Sequence, residues 1–247
     1  MANGYSTAAR RIVTWNLHFG GASSKWPMLQ KAIGADISFL QETNEPGAAA
    51  SVCWSGVPNR TWGSAVILAS GRVARHDIDG YEGWVAGGEV LDSEFSADRP
   101  LWVYSIHTPT VDKKLVPGST YAKELQEILT QVFECVPAEA DLVLGGDFNL
   151  KSLSERLQGE SIKTEPAERT IMSQLSARGL ESCWTAAHPA TALAQTLRWS
   201  GDVSKPYHCD GLFVPRAWAE RSVCEVLQSP WITSASDHNP VAAWLLA

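Results

Sequence analysis

This chain has no long apolar run, no paired cysteines and no excess of positive charge, and each shortage excludes something. None of its apolar stretches approaches the roughly 18 consecutive residues of a membrane span, so no membrane partner is expected. Its five cysteines (Cys53, Cys135, Cys183, Cys209 and Cys224) are scattered, and none belongs to a C-x-x-C pair. That argues against a zinc site and against a disulfide framework, and leaves small core residues as their expected role. Lysine and arginine number 20 against 27 aspartates and glutamates, a net charge of −7. A broad basic surface that grips nucleic acid by counterion release is therefore not expected. A nuclease is not excluded, because a few local cations and a bound metal can do that work.

Low complexity is absent too. Glycine and proline, 19 and 13 residues, stay close to their average share. The opening MANGYSTAARRIVTWNL has no apolar segment after a basic start, so no secretory leader is expected and the cytoplasm is the expected location. What the chain does have is 45% hydrophobic residues, eleven tryptophans and 247 positions, enough for a full core without staples. We expect a flexible N-terminal segment over 1–10 and a single domain over 11–247, in a monomer.

Short apolar runs alternate with amphipathic stretches. IVTWNL (12–17) and DISFLQE (36–42) read as strands around a short helix over 25–34, with Pro27 in its first turn and Gly34 as its stop. This is a β-α-β unit with nearly all-apolar strands, as in a covered sheet. Residues 64–70, 83–91 and 101–107 are further strand candidates. Over 119–136, Leu125, Ile128, Leu129, Val132, Phe133 and Val136 repeat at helical spacing. DLVLGG (141–146) is a strand leading into Asp147. A helix over 167–178 should turn Ile171, Met172 and Leu175 inward and end at Gly179. Strands over 209–215, 222–227 and 240–246 finish the chain, and 92–99, 109–120 and 150–166 are expected to be flexible. One α/β domain is the economical reading.

Polar residues capable of chemistry sit where apolar strands end: Asn16, Glu42, His107, Asp147 and Asn149, Asp210, and Asp237 with His238. Strand ends are where a rigid sheet presents functional groups. The carboxylate and amide oxygens are hard ligands, suited to Mg²⁺ or Mn²⁺ rather than zinc. Gly145 and Gly146 remove side chains just before Asp147, which would let a metal or phosphate approach the backbone. If 147–149 is extended, Asp147 and Asn149 point the same way. Each feature alone is ordinary: a glutamate after a strand is usually a solvated turn residue, and an Asp-His pair is usually a cap. The ordered set is not ordinary.

That set, TWNL (14–17), LQE (40–42), IHTP (106–109), GDFN (146–149), HCDGLFVP (208–215) and SDHNPV (236–241), resembles the endonuclease/exonuclease/phosphatase superfamily. These are metal-dependent phosphoesterases related to pancreatic deoxyribonuclease. The resemblance spans residues 14 to 241. It implies a four-layer α/β sandwich, two facing mixed β-sheets flanked by helices, with the site at one end of the sheets. It also implies roles. Glu42 would be the main metal ligand, Asn16 would orient the metal shell or the phosphate, and Asp237 would complete the shell. Asp147 would position the attacking water or touch the metal, and Asn149 would bond the developing phosphorane. Asp210 would orient His238, the base or phosphate-binding imidazole, and His107 would stabilise the transition state or assist the leaving oxygen. The implied activity is Mg²⁺- or Mn²⁺-dependent phosphodiester hydrolysis by a nuclease. The alternative is a phosphatase or phosphodiesterase acting on a nucleotide, lipid headgroup or sugar phosphate.

Two departures stand out. Gly211 replaces the aromatic residue that many relatives carry after the aspartate. His107 replaces the tyrosine of abasic-site endonucleases, which leans towards the histidine-bearing branches. Substrate choice is less legible. RWSGDVSKPYHCD (198–210) sets Arg198 and Trp199 as substrate-binding candidates, with Lys205, Tyr207 and His208 beside them, a mixture able to stack a base and pair its phosphate. Trp199 and Tyr207 could equally anchor a loop to the core. Trp26, Trp54, Trp62, Trp84, Trp184 and Trp231 lie near expected turns, where they could line a groove or simply pack. Without a basic stretch, a short or single-stranded nucleic acid or a small phosphoester is favoured over long duplex DNA.

Overall fold

A computed structural model describes residues 9–47, 49, 51–93, 95, 99–109, 120–150, 166–191, 193–198, 202 and 206–246. The chain runs β1 (Arg10–Asn16), α1 (Lys25–Ile33), β2 (Ile37–Thr43), β3 (Val52–Gly56), β4 (Gly63–Leu68), β5 (Arg72–Arg75), β6 (Val85–Leu91) and β7 (Leu101–His107). It continues α2 (Tyr121–Cys135), β8 (Asp141–Asp147), α3 (Pro166–Ala177), β9 (Leu180–Ser182), α4 (Cys183–Ala187), β10 (Leu197–Arg198), β11 (Pro206–Tyr207) and β12 (Asp210–Pro215). It ends with α5 (Arg216–Ala219), β13 (Ser222–Val226), α6 (Pro230–Ala235) and β14 (Val241–Leu245). Most of the expected flexible positions lie outside the described residues. None of the helices among the described residues is long and apolar enough to cross a membrane.

Two six-stranded mixed sheets carry the fold. One has the order β13-β14-β1-β2-β4-β3 and the other β5-β6-β7-β8-β12-β9, with a small ribbon β10-β11 beside them. Each large sheet has one parallel pair at its centre, β1 with β2 and β7 with β8. A parallel pair needs a crossover, and α1 and α2 supply it. Each helix covers the outer face of its own sheet. Leu29 and Ile33 of α1 pack with Val13, Trp15 and Leu40. Leu125, Ile128, Leu129 and Val132 of α2 pack with Tyr104, Ile106, Leu142 and Leu144. Between the sheets lie Ile12, Phe39, Val103, Val143, Leu212 and Val241. The result is the helix–sheet–sheet–helix layering expected from the resemblance.

Local signals explain the helix ends. Gly34 closes α1 in the left-handed conformation, φ 62°, which glycine adopts without strain. Thr120 caps α2, its side chain accepting from the Lys123 amide at 3.3 Å. Two expectations fail for packing reasons. Met172 is 40% exposed, because Ile171 and Leu175, one turn apart, already fill the inward stripe of α3 and residue 172 lies a hundred degrees round the helix. Gly145 and Gly146 do not open space for a ligand. A Cβ on Gly145 would stand 2.5 Å from the Phe39 ring, and one on Gly146 would stand 2.0 Å from the Ile106 carbonyl oxygen. The missing side chain of Gly145 lets the two sheets close on Phe39, and that of Gly146 makes room for the neighbouring β7 backbone. Gly211 meets only ordinary contacts, with Phe213 and Phe148 at 3.7 and 3.8 Å.

The five cysteines are all free, and Cys53, Cys183, Cys209 and Cys224 are buried, the role expected for them.

Candidate active site

Side chains alternate across a strand, so counting by twos along an inner face predicts what it presents at its end. Ile12, Thr14 and Asn16 share the inner face of β1; Val103, Ser105 and His107 that of β7; Val143, Gly145 and Asp147 that of β8. On β12 the count runs back from Leu212 to Asp210, which is paired in register with Asp147. Four strands thus bring four polar side chains to one end of the space between the sheets.

Glu42 breaks this count. On β2, Ile37, Phe39 and Gln41 face inward, so an unbroken strand would turn residue 42 away. The register with β4 shifts between Leu40 and Thr43, and Glu42 takes φ 49°. A bulge of this kind re-aims a side chain, and the carboxylate turns to the Asn16 amide, 3.2 Å away. The same amide donates to Asp147 Oδ2 at 3.0 Å, so one amide ties the two carboxylates together. Gln41 stays on the inner face and bridges the sheets. It accepts from Thr14 Oγ1 at 3.3 Å and donates to Ser105 Oγ at 2.9 Å.

The Asp-His segment is clamped from several sides. His238 Nδ1 lies 2.9 and 3.0 Å from the two Asp210 oxygens. A carboxylate only accepts, so Nδ1 carries the hydrogen and Nε2 faces Asp147 Oδ2 at 3.7 Å. The His238 amide donates to Ser236 Oγ at 3.0 Å, that hydroxyl donates to the Asn16 carbonyl at 2.8 Å, and Trp15 Nε1 donates to the His238 carbonyl at 3.0 Å. Thr196 Oγ1 accepts from the Cys209 and Asp210 amides at 3.0 and 3.2 Å. Ser236, Thr196, Trp15, Gln41 and Ser105 do not figure among the candidates drawn from the sequence. Ser236 and Gln41 sit inside SDHNPV and LQE, where their neighbours drew the attention; Thr196 carries no motif at all.

His107 Nε2 stands 3.7 Å from Glu42 Oε1 and 3.9 Å from Asp147 Oδ2, beyond hydrogen-bond reach, and its Nδ1 is buried without a partner. Asp237 Oδ1 is likewise buried without an aligned hydrogen bond, 3.0 Å from His18 Nδ1 and 4.0 Å from His238 Nε2. Asn149 takes φ 51°, so 147–149 is not extended. Its amide instead folds back to Asp147 Oδ1 at 3.1 Å, and its side chain donates to the Thr108 carbonyl at 3.1 Å. Arg198, expected to face substrate, is buried. Its guanidinium donates to Asn239 Oδ1 and to the Ser236 carbonyl, which braces the loop that carries Asp237 and His238. Trp199 and Lys205 lie outside the described residues.

Electrostatics divides the labour. Burial alone would lower the His238 pKa, but the carboxylates of Asp210 and Asp147, with Asp237 behind them, override it and hold the imidazole at about 10. His107 goes the other way: burial lowers it to about 4 against the pull of Asp147. Burial and the neighbouring Asp210 charge push Asp147 up, against both histidines. At neutral pH the site pairs an imidazolium with a neutral imidazole, next to a carboxyl of raised basicity. Separated pKa values of this kind are how one site runs acid and base chemistry together.

Asp147, Cys209, Asp210 and His238 offer ligand atoms within 4.8 Å of one another. That cluster is a poor cation cage. Asp210 and His238 satisfy each other, and burial with the Asp147 and Asp210 charges keeps the Cys209 thiol far above its ordinary pKa, hence protonated. Its Sγ lies 3.6 Å from Asp210 Oδ2 and donates there. The oxygens of Glu42, Asp147 and Asp237 suit a hard divalent ion better, and His107 Nε2 faces the first two of these residues.

No protein-family model matches the sequence, and no curated protein sequence matches it. Solved structures do match its shape. The endonuclease domain of TRAS1, a telomere-specific non-LTR retrotransposon, superposes with a TM-score of 0.65 at 13% identity, over 96% of this chain and 98% of that one. The AP endonuclease LMAP from Leishmania major gives 0.67 at 15% identity, over 97% and 88%. An AP endonuclease from Archaeoglobus fulgidus gives 0.64 at 17% identity, over 95% and 98%. The chain has the endonuclease/exonuclease/phosphatase fold. In this fold the polar cluster described above lies where strands β1, β7, β8 and β12 meet between the two sheets.

Proposed function

We propose that this protein is a divalent-metal-dependent phosphodiesterase that hydrolyses DNA or RNA, with Mg²⁺ or Mn²⁺ as its cofactor. The observation that carries the reading is the Asp210–His238 pair, its Nε2 aimed at an Asp147 carboxylate that Asn16 ties to Glu42. The nuclease activity of the proteins that share the fold supports it. Hydrolysis of a diester needs a nucleophilic water, neutralisation of charge on the phosphoryl oxygens, and a stabilised leaving oxygen. A bound divalent ion supplies Lewis acidity at the phosphate. Glu42 and Asp237 hold that ion, and Asn16 fixes Glu42 in place.

Asp147, with its raised pKa, orients the attacking water and accepts its proton. His238, held cationic by Asp210, neutralises the phosphoryl charge as it grows. His107, neutral, donates a hydrogen bond to a phosphoryl or leaving oxygen from the nitrogen that faces the carboxylates. The Asn149 side chain is anchored on the Thr108 carbonyl and leaves one amide hydrogen for the phosphorane.

The test is cleavage of single-stranded and duplex oligonucleotides, with nucleotides and p-nitrophenyl phosphate as comparison substrates, in Mg²⁺ or Mn²⁺. Expected is oligonucleotide hydrolysis abolished by chelator and about 10²–10⁴-fold slower in Glu42→Gln and in His238→Ala. Wild type as inert as the variants on every substrate would overturn the reading, and preference for the monoester would move it to a phosphatase.

A further inference from the structure

Beside the site runs a ladder of rings, of which the proposed chemistry uses only the first, His107. His107 packs against Trp84 at 5.1 Å between centroids and against Trp62 at 5.9 Å. Trp84 and Trp62 meet edge to face at 5.4 Å. Trp62 then meets Phe19 at 5.7 Å. The ladder starts at a buried imidazole, passes through two half-buried indoles and ends in solvent, with Phe19 62% exposed. No other large hydrophobic side chain among the described residues is as exposed.

The backbone under Phe19 is strained and tightly held. His18 and Phe19 both take left-handed φ, 51° and 57°. That region costs a non-glycine residue on the order of 1 kcal/mol or more and is rare for a bulky one. Several bonds enforce it. The His18 amide donates to Asn16 Oδ1 at 2.9 Å, the Gly20 amide to the Glu42 carbonyl at 2.6 Å, and the Gly21 amide to Asn44 Oδ1 at 2.9 Å. Lys25 Nζ donates to the Leu17 and His18 carbonyls. The Phe19 amide itself donates to Glu42 Oε2 at 3.2 Å. The backbone that presents the exposed ring is thus held by the same carboxylate that is proposed to hold the metal, which sets Phe19 beside the proposed metal site. Strain held this firmly points to a use for the ring it presents.

We propose that Phe19, backed by Trp62, is a stacking platform for an unpaired nucleobase next to the scissile phosphate, which makes single-stranded nucleic acid the preferred substrate of the site. This rests on the phosphodiesterase reading above. A base inside a duplex has both faces covered by its neighbours, so only a splayed base can lie on the ring. The chain's net charge of −7 leaves little sequence-independent grip on phosphates, so stacking has to supply a large share of the affinity.

The experiment compares a single-stranded oligonucleotide with a strand of the same length and backbone in which every base is missing, an all-tetrahydrofuran phosphodiester. Both are tested for hydrolysis with Mg²⁺ or Mn²⁺, and separately for binding by anisotropy in chelator. Stacking is worth roughly 5- to 150-fold per base. Wild type should therefore prefer the base-bearing strand by that factor in kcat/KM and in affinity. Phe19→Ala should bring the ratio close to one, Phe19→Leu should do nearly the same, and Phe19→Trp should keep it. A ratio that Phe19→Ala leaves unchanged, or that Phe19→Leu preserves, overturns the platform. Should wild type hydrolyse neither strand, the catalytic reading falls by itself; the platform is then judged on binding, and equal affinity for the two strands sinks it.

Discussion

Asp210→Asn is the sharpest perturbation of this site, because it removes one charge and almost no volume. In the metal-free protein this carboxylate is the largest of the charges that, against burial, lift His238 from its ordinary value near 6.5 to about 10. That lift corresponds to a differential interaction on the order of 4–5 kcal/mol. Its sign is fixed: a folded-state pKa above the unfolded one stabilises the fold fully below about pH 6.5, and the contribution drains away as pH rises to about 10. In Asp210→Asn, burial is no longer overridden by a charge bonded to Nδ1. The His238 pKa should fall to about 8 or below, and the variant should lack the wild-type loss of stability between there and pH 10. Histidine side-chain NMR in chelator reads the titration directly, with His238→Gln assigning the resonance among six histidines. Urea unfolding from pH 6.5 to 10 reads the linkage. Hydrolysis at pH 7 should drop about 10²–10⁴-fold, and Asp210→Asn combined with His238→Ala should be little worse than His238→Ala alone. An imidazole still cationic at pH 9 in the variant, or activity within threefold of wild type, would refute the reasoning.

Other predictions test the scaffold. His208 is buried with Nδ1 2.6 Å from the Ala194 carbonyl, and burial lowers its pKa to about 4. Its contribution is intact above about pH 6.5 and is lost as pH falls towards 4, about 3 kcal/mol, so His208→Gln should flatten acid unfolding in that window. Gln41→Leu should cost about 1–3 kcal/mol in urea unfolding, because Ser105 and Thr14 keep buried hydroxyls with one partner fewer. Gly145→Val should destabilise by about 1–3 kcal/mol and lower the Tm, since the Phe39 ring occupies the space; an unchanged Tm would contradict the close approach of the sheets. Mg²⁺ at a hundred times its Kd should raise the stability by about 2.7 kcal/mol in wild type and by much less in Glu42→Gln, as followed by thermal melts.

The sequence by itself determined the longer elements and which polar residues stand at strand ends. Period-two apolar strands and helical stripes are local signals, and they placed β1, α1, β2, β7, α2 and β8 within a residue or two. The same alternation carries Asn16, His107, Asp147 and Asp210 to one face, because each sits an even number of residues from an inner-face apolar neighbour. Tertiary structure decided the rest. Glu42 has the wrong parity for its strand and enters the site only through a bulge opposite β4. Arg198 reads as a surface cation beside aromatics, yet the partners that engage it, Asn239 and Ser236, lie about forty residues ahead and are met only in the folded chain. The exposure of Phe19 and the burial of His107 at opposite ends of one ring ladder depend on contacts among four separate segments, which no local pattern encodes. Periodicity is a property of neighbours in the chain, whereas charge pairing, burial and strain are properties of neighbours in space.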